Sequence, residues 1–153
     1  MNAVTHSSRK QQGSMLLEAL IAILIFSMGI LAIVGLQATS IKLSGDAKYR
    51  SEASLLVNQL IGQMWVSDRT PATLQANFQG GTGVTDGAAY TAWLAAVQNA
   101  QTGLPGASAN PPSVTIVPVV GATTTSSLVT ITVWWQAPNE PAAHNYTAVA
   151  QII

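Results

Sequence analysis

From Ala19 to Ile41 the chain carries no charged residue, and the whole run from Ser14 to Leu36 is apolar apart from Glu18. At 1.5 Å of rise per residue, about 20 such residues span the roughly 30 Å hydrocarbon core of a bilayer. A segment of this kind has few folded fates. It crosses a membrane, or it is buried among other apolar elements. The composition favours the first, because charged residues make up only 8% of the chain against 48% hydrophobic, and a soluble domain ordinarily carries about 25% charged residues. Arg9 and Lys10 precede the segment, so the positive-inside rule places the N-terminus in the cytoplasm and the remainder outside.

The helix is predicted to continue past the membrane. Lys42, Asp46, Lys48, Arg50 and Glu52 restore charge, and Ala53, Leu56, Leu60 and Met64 then form an apolar row with Val57 and Ile61 beside it. No proline interrupts residues 14–70, and Asp68-Arg69-Thr70-Pro71 reads as the stop. One helix of roughly 50 residues, about 75 Å long by its rise, is expected to be half lipid-facing and half amphipathic. Gly35 and Gly45 are its soft points, since glycine costs ~1 kcal/mol in a helix interior.

Beyond Pro71 the texture changes. Gln79-Gly80-Gly81-Thr82-Gly83 reads as loop. Asp86 is placed to cap a helix over Ala88–Ala100, with Ala89, Trp93, Ala96 and Val97 on one face. Gly103–Pro112 is a Pro/Gly/Ser/Ala-rich loop, and three strand-like runs follow at Val114–Val120, Leu128–Gln136 and Tyr146–Ile153. In the middle run Val129, Ile131, Val133 and Trp135 alternate with Thr130, Thr132 and Trp134, the period of a strand with one buried face. Short connections make the strands antiparallel neighbours, and their sheet must cover the stripe of Ala53–Met64. The expected fold is α+β: a long N-terminal helix packed on a small antiparallel sheet.

Several chemistries are disfavoured. The chain has no cysteine, which removes disulfides and thiolate chemistry. After Arg69 there is no Lys or Arg and only Asp86 and Glu140 carry charge, so no cationic groove for nucleic acid is available there. His6 and His144 stand apart with few carboxylates, too sparse for a metal site. Gly80-Gly81-Thr82-Gly83 lacks the Lys-Ser/Thr of a phosphate-binding loop, and no nucleophile motif frames the serines. Asn145-Tyr146-Thr147 matches a glycosylation sequon but reads as strand sequence. Trp134-Trp135 places one ring on each sheet face, Trp135 in the core and Trp134 either on a loop or against a neighbouring subunit. No catalytic residue, cofactor or metal is expected.

The order of parts at the N-terminus carries the functional signal. Basic residues, then Gly13, a gap of four residues, Glu18 and the uncharged stretch follow in sequence. An ordinary secretory signal has its small-residue cleavage site after the apolar region. Here the plausible site precedes it. Cleavage after Gly13 leaves the apolar helix on the mature protein, creates an α-ammonium on Ser14, and makes Glu18 the fifth residue. A charged residue near a membrane helix centre costs roughly 2.5–3.5 kcal/mol, so an intramembrane acid is a functional candidate. Glu18 of one subunit is suited to meet the Ser14 ammonium of a neighbour and to penalise slipped registers. The plainer reading makes Glu18 a side chain that snorkels to the interface of a simple anchor.

At these residues the chain resembles the type IV pilin superfamily. Gly13-Ser14-Met15-Leu16-Leu17-Glu18 is similar to the type III signal of prepilins, which prepilin peptidase cuts after the glycine before N-methylating the new terminus. The stretch LLEALIAILIFSMGILAIVGLQA, Tyr49-Arg50-Ser51-Glu52-Ala53 and Leu104-Pro105-Gly106 resemble the PilV group of minor pilins, in which a tryptophan-bearing strand follows the Leu-Pro-Gly turn. The resemblance implies a leader over 1–13, a transmembrane and filament-core half-helix over 14–41, and a periplasmic head over 42–153. It implies Ser14 as the N-methylated residue and Arg9 and Lys10 as the leader's topology signal. Implied partners are prepilin peptidase, major and minor pilins, the pilus assembly platform and the inner membrane. Ser14 departs from the phenylalanine usual at the methylated position, Gly35 stands where many major pilins carry a kinking proline, and the cysteine pair of major pilins is missing. Two other classes share parts of the pattern: a minor pseudopilin of type II secretion, and a single-span anchor for a periplasmic enzyme.

Overall fold

The computed structural model describes residues 12–81, 83–120, 125–138 and 140–153. The first helix, α1, runs over Gln12–Val66 without a break at Gly35 or Gly45. Its chain divides between two compact units, one ending at Leu43 and one spanning Ser44–Ile153. In the first unit the helix from Ser14 onward is exposed all round, Leu31 and Leu36 among its most exposed side chains. Among the described residues of that unit nothing else is available to bury them, so this half of α1 has the apolar surface of a core element and no core. It is long and apolar enough to cross a membrane, with mean hydropathy 2.8 over its most apolar window and none of that window buried. Ser27 and Thr39 sit within it, and each donates its hydroxyl to the carbonyl four residues back (Ile23 at 2.7 Å, Gly35 at 3.1 Å). These bonds give the two hydroxyls partners inside the helix, as an apolar solvent requires.

The second unit is the α+β layer expected. Ala53, Val57, Leu60 and Met64 of α1 are fully buried, while Leu56 and Ile61 flank them half-buried. The stripe therefore passes through Val57 where the sequence suggested Leu56, a rotation of one position. Three strands, β1 (Ser113–Val120), β2 (Thr125–Trp135) and β3 (His144–Ile152), form an antiparallel sheet in the order β1-β2-β3. Ile131 pairs with Val114 on one side and Ala148 on the other. Val129, Ile131, Val133 and Trp135 point into the core with Val114, Ile116 and Ile152, and Trp134 is half-buried on the outer face.

Two differences from the sequence reading have clear causes. A helix, α2 (Pro71–Phe78), stands where no element was expected. Pro71, taken as a helix stop, is its first residue, where the missing N–H is no loss, and Leu74 and Phe78 one turn apart are buried. The next helix, α3, covers Ala88–Val97 and ends short of Ala100. Asp86 does not cap it: Gly87 is the N-cap with no side-chain bond, and the Asp86 carboxylate instead accepts the Gly81 N–H at 2.9 Å. Gly81 has φ +70, and a Cβ there would meet the Pro112 carbonyl, so the acid fastens a turn that only glycine fits. The buried face of α3 is Tyr90, Trp93 and Val97. Ala96, expected on it, is exposed because the three larger side chains set the helix rotation.

The connection from α3 to β1 packs against the end of β2. Leu104 and Ala107 are buried, Pro105 accepts the Gln136 N–H at 2.8 Å, and Gly106 has φ +73 with Gln136 directly above its Cα. Leu104-Pro105-Gly106 is thus a turn seated on the tryptophan-bearing strand. A side chain at residue 106 would be held to a strained backbone angle and press on Gln136.

Candidate functional site

Ser14 and Glu18 lie one turn apart on α1, and with Leu17, Ile21, Ala22 and Ile25 they border one shallow groove of about 450 Å³ along the helix. Both are exposed, and among the described residues Glu18 forms no ion pair. The groove therefore combines an apolar floor with one carboxylate at its N-terminal end. Gly13 lies in the first turn of α1. The first four N–H groups of any α-helix lack intrahelical acceptors, so that turn opens at low cost. Arg9 and Lys10, together with the leader up to residue 11, lie outside the described residues.

A surface of this kind stabilises an apolar solvent or an apolar helix laid along it, and its one acid suits a cation at the level of Glu18. Two identical helices offset so that the Ser14 end of one meets Glu18 of the other would satisfy both, provided that Ser14 carries a free ammonium. In the intact chain Ser14 has an ordinary peptide nitrogen, so the pairing depends on removal of residues 1–13.

The second unit gathers a polar cluster that the sequence did not suggest. His144, at the first position of β3, stacks on Trp135 with ring centroids 5.9 Å apart and planes 15° from parallel. Its Nε2 lies 2.9 Å from Glu140 Oε2 and its Nδ1 lies 3.7 Å from Asp46 Oδ1. The same Asp46 oxygen accepts the Trp135 indole N–H at 3.2 Å. The His144 imidazole thus lies between carboxylates from α1 and from the β2–β3 connection. The two carboxylates face opposite nitrogens of one ring, so they do not converge on a single ion. Among the described residues no acid and histidine group could hold a metal, and no hydroxyl is hydrogen-bonded to His144. The cluster ties the β2–β3 connection to α1. No sequence signal marks it, because Asp46 and His144 meet only through the tertiary fold.

A second depression of about 400 Å³ opens between Lys48, Tyr49 and Glu52 of α1 and the 98–108 loop, lined mainly by uncharged polar groups. Lys48 is paired there with Glu52 at 3.6 Å. That pairing offsets the one positive charge at its mouth.

No family model, no curated protein and no solved structure matches this chain. The class that can be stated is therefore structural: an α+β head built on the second half of a long helix whose first half is apolar and exposed.

Proposed function

We propose that this chain is a minor pilin of a type IV pilus, held in the inner membrane by the first half of α1 with its head in the periplasm, and assembled into the filament after its leader is removed. The observation that carries the reading is one of position on a single helix. Gly13-Ser14 lies in the first turn, the acid Glu18 one turn on, an uncharged and fully exposed stretch follows, and the same helix then supplies the buried stripe of the head. An ordinary secretory signal would be cut after the apolar stretch, and that cleavage would release the head from its membrane helix. A leader removed before the apolar stretch leaves the helix whole. In this reading prepilin peptidase cuts after Gly13, Ser14 becomes the methylated terminus, and Glu18 pairs with a neighbour's Ser14 ammonium as the helices leave lipid for the filament core. The chain acts by assembling with other pilins at the assembly platform and carries no catalytic site of its own.

The test is co-expression with an active prepilin peptidase. The intact mass should fall by the 13 residues of the leader with Ser14 as the new N-terminus. Gly13→Arg should block the change by filling the space beside the scissile bond. Persistence of the full-length chain beside a peptidase that processes a control prepilin would remove the basis of the reading.

A further inference from the structure

The two sides of the His144 ring are chemically unlike. Nε2 lies 2.9 Å from Glu140 Oε2, and a ring nitrogen that close to a carboxylate oxygen has a proton between them. Glu140 and His144 are four residues apart at the same end of the β2–β3 connection, so this bond closes the connection on itself. The other nitrogen, Nδ1, faces Asp46 Oδ1 of α1 at 3.7 Å. In the neutral ring Nδ1 carries a lone pair, which repels that oxygen. In the protonated ring it carries a second N–H, which can donate to it. Within the cluster, the contact across to α1 is therefore the one that needs the second proton.

The surroundings prepare that contact. The His144 side chain is 45% exposed, so solvent reaches the ring, whereas the Glu140 side chain is only 8% exposed. Asp46 is held in place because its Oδ1 accepts the Trp135 indole N–H at 3.2 Å, and the stacked Trp135 ring sets the plane of the imidazole. The charged groups come from both sides. Asp46 comes from α1, with Lys42 and Arg50 one turn before and after it on that helix, and Glu140 comes from the connection. Tyr146 follows two residues on in β3, and β2 brings Trp135 but no charged side chain.

We propose that His144 is a pH-operated latch between the β2–β3 connection and α1, open when the ring is neutral and closed when it is protonated. Histidine is the side chain that ordinarily changes its charge between about pH 8 and pH 5. Closing asks only that the 3.7 Å separation between Nδ1 and Asp46 Oδ1 shorten to the roughly 2.8 Å of a charge-assisted bond. Protonation keeps the Glu140 bond and strengthens it, so the connection stays folded on itself while it gains its bond to α1. Acid therefore tightens the connection on the helix, and alkali loosens it. The latch lies within the head and stands independently of the pilin reading.

Hydrogen–deuterium exchange of the full-length protein in detergent micelles tests this, read at about pH 8 and pH 5 with the intrinsic dependence of exchange on pH divided out. Peptides covering residues 137–143 should exchange about fivefold more slowly at the lower pH, the size expected of a half-exposed ion pair. Peptides covering Val129–Val133 in the core of β2 should not change, which separates the latch from a change in overall stability. His144→Gln keeps an amide donor for Glu140 but cannot be charged, and it should abolish the difference. Asp46→Asn keeps an acceptor for the Trp135 indole while removing the charge on α1, and it should abolish most of the difference. In each variant the Val129–Val133 peptides report whether the head is folded, and the two variants act on opposite sides of the contact, so either one decides the matter. The proposal is overturned if the wild-type connection exchanges alike at both pH values, or if the β2 core slows as much as the connection does. It is equally overturned if His144→Gln or Asp46→Asn keeps the full wild-type difference in a folded head.

Discussion

The indole N–H of Trp93 donates to the main-chain carbonyl of Leu56 at 2.9 Å, a bond from α3 to the C-terminal part of α1. A mid-helix carbonyl already accepts its own helical bond, and its second lone pair takes the indole. Trp93 is also buried and tilted against Tyr90 at 6.0 Å between centroids. The contact fixes both the rotation of α3 and its position along α1. Trp93→Phe should keep most of the apolar burial and lose the bond and some volume, costing about 1–2 kcal/mol. Trp93→Ala should cost about 3–5 kcal/mol by leaving a cavity. Denaturant unfolding followed by the fluorescence of the remaining tryptophans measures both. Equal losses for the two variants would show that the hydrogen bond, and not the packing, dominates.

Tyr90 predicts a pH dependence. Its hydroxyl donates to the Pro112 carbonyl at 2.7 Å in the buried interior. Burial, aided by the nearby Asp86 carboxylate, pushes its pKa up from the usual 10.0 to about 12. The protonated phenol is thus favoured by folding. A group whose folded pKa is raised contributes stability that is complete below its unfolded pKa and lost as pH rises through the folded value. The head should hold its stability up to about pH 10 and lose part of it between there and about pH 12. Tyr90→Phe should be less stable at neutral pH by about 1 kcal/mol, with the Pro112 carbonyl short of a partner, and its high-pH decline should be shallower. Unfolding midpoints across that range, wild type against variant, test this. Parallel curves would assign the decline to other groups.

How much of this was legible in the sequence depends on the range of the interactions involved. The β2 alternation of Val129, Ile131, Val133 and Trp135 specified a strand and its buried face, because period 2 depends on neighbouring residues alone. The α1 stripe was found one position out, since Leu56 and Val57 are equally apolar and only the sheet decides between them. In α3 five of ten residues are alanine, which weakens any periodic signal. The positions of Tyr90, Trp93 and Val97, not the alanines, set its rotation. Pro71 has two opposite local meanings, helix stop and helix start, and the second holds here because Leu74 and Phe78 find the sheet. Asp86 met the requirement for a cap, but Gly81, brought close by the turn, won its carboxylate. The Asp46–Trp135–His144–Glu140 cluster had no local pattern to read. Gly13, Ser14 and Glu18 were conspicuous as a motif; their place on α1 adds helical spacing, and for Ser14 and Glu18 exposure.

The division of the chain at Leu43 predicts a separable head. Every buried core residue lies at or beyond Ala53, and the apolar surface without partners lies mostly before Ser44. Deleting residues 1–41 should give a fragment that stays in a detergent-free supernatant and unfolds cooperatively, because Val57, Leu60 and Met64 still have the sheet to bury against. An aggregated or non-cooperative product would mean that the first half of α1 contributes to the stability of the head.

Glu18→Ala separates anchoring from assembly. The substitution removes a carboxylate from an apolar helix, so membrane insertion should be unchanged or slightly easier. Under the proposed pilin reading, entry into the filament is what fails. The Ser14 ammonium of a neighbouring subunit loses its counter-charge as lipid and water give way to packed helices, and a buried unpaired charge costs several kcal/mol. The expected phenotype is a processed chain that stays in the membrane and is missing from sheared pili. Glu18→Asp should be intermediate, since the charge survives while its reach shortens by one methylene. Membrane fractionation and immunoblots of sheared pili score both steps in the same cells. Should Glu18→Ala enter pili as well as wild type, the charge pair has no part in assembly. If instead it remains unprocessed, Glu18 acts at the step that removes residues 1–13, and its place one turn beyond Ser14 serves recognition by the peptidase.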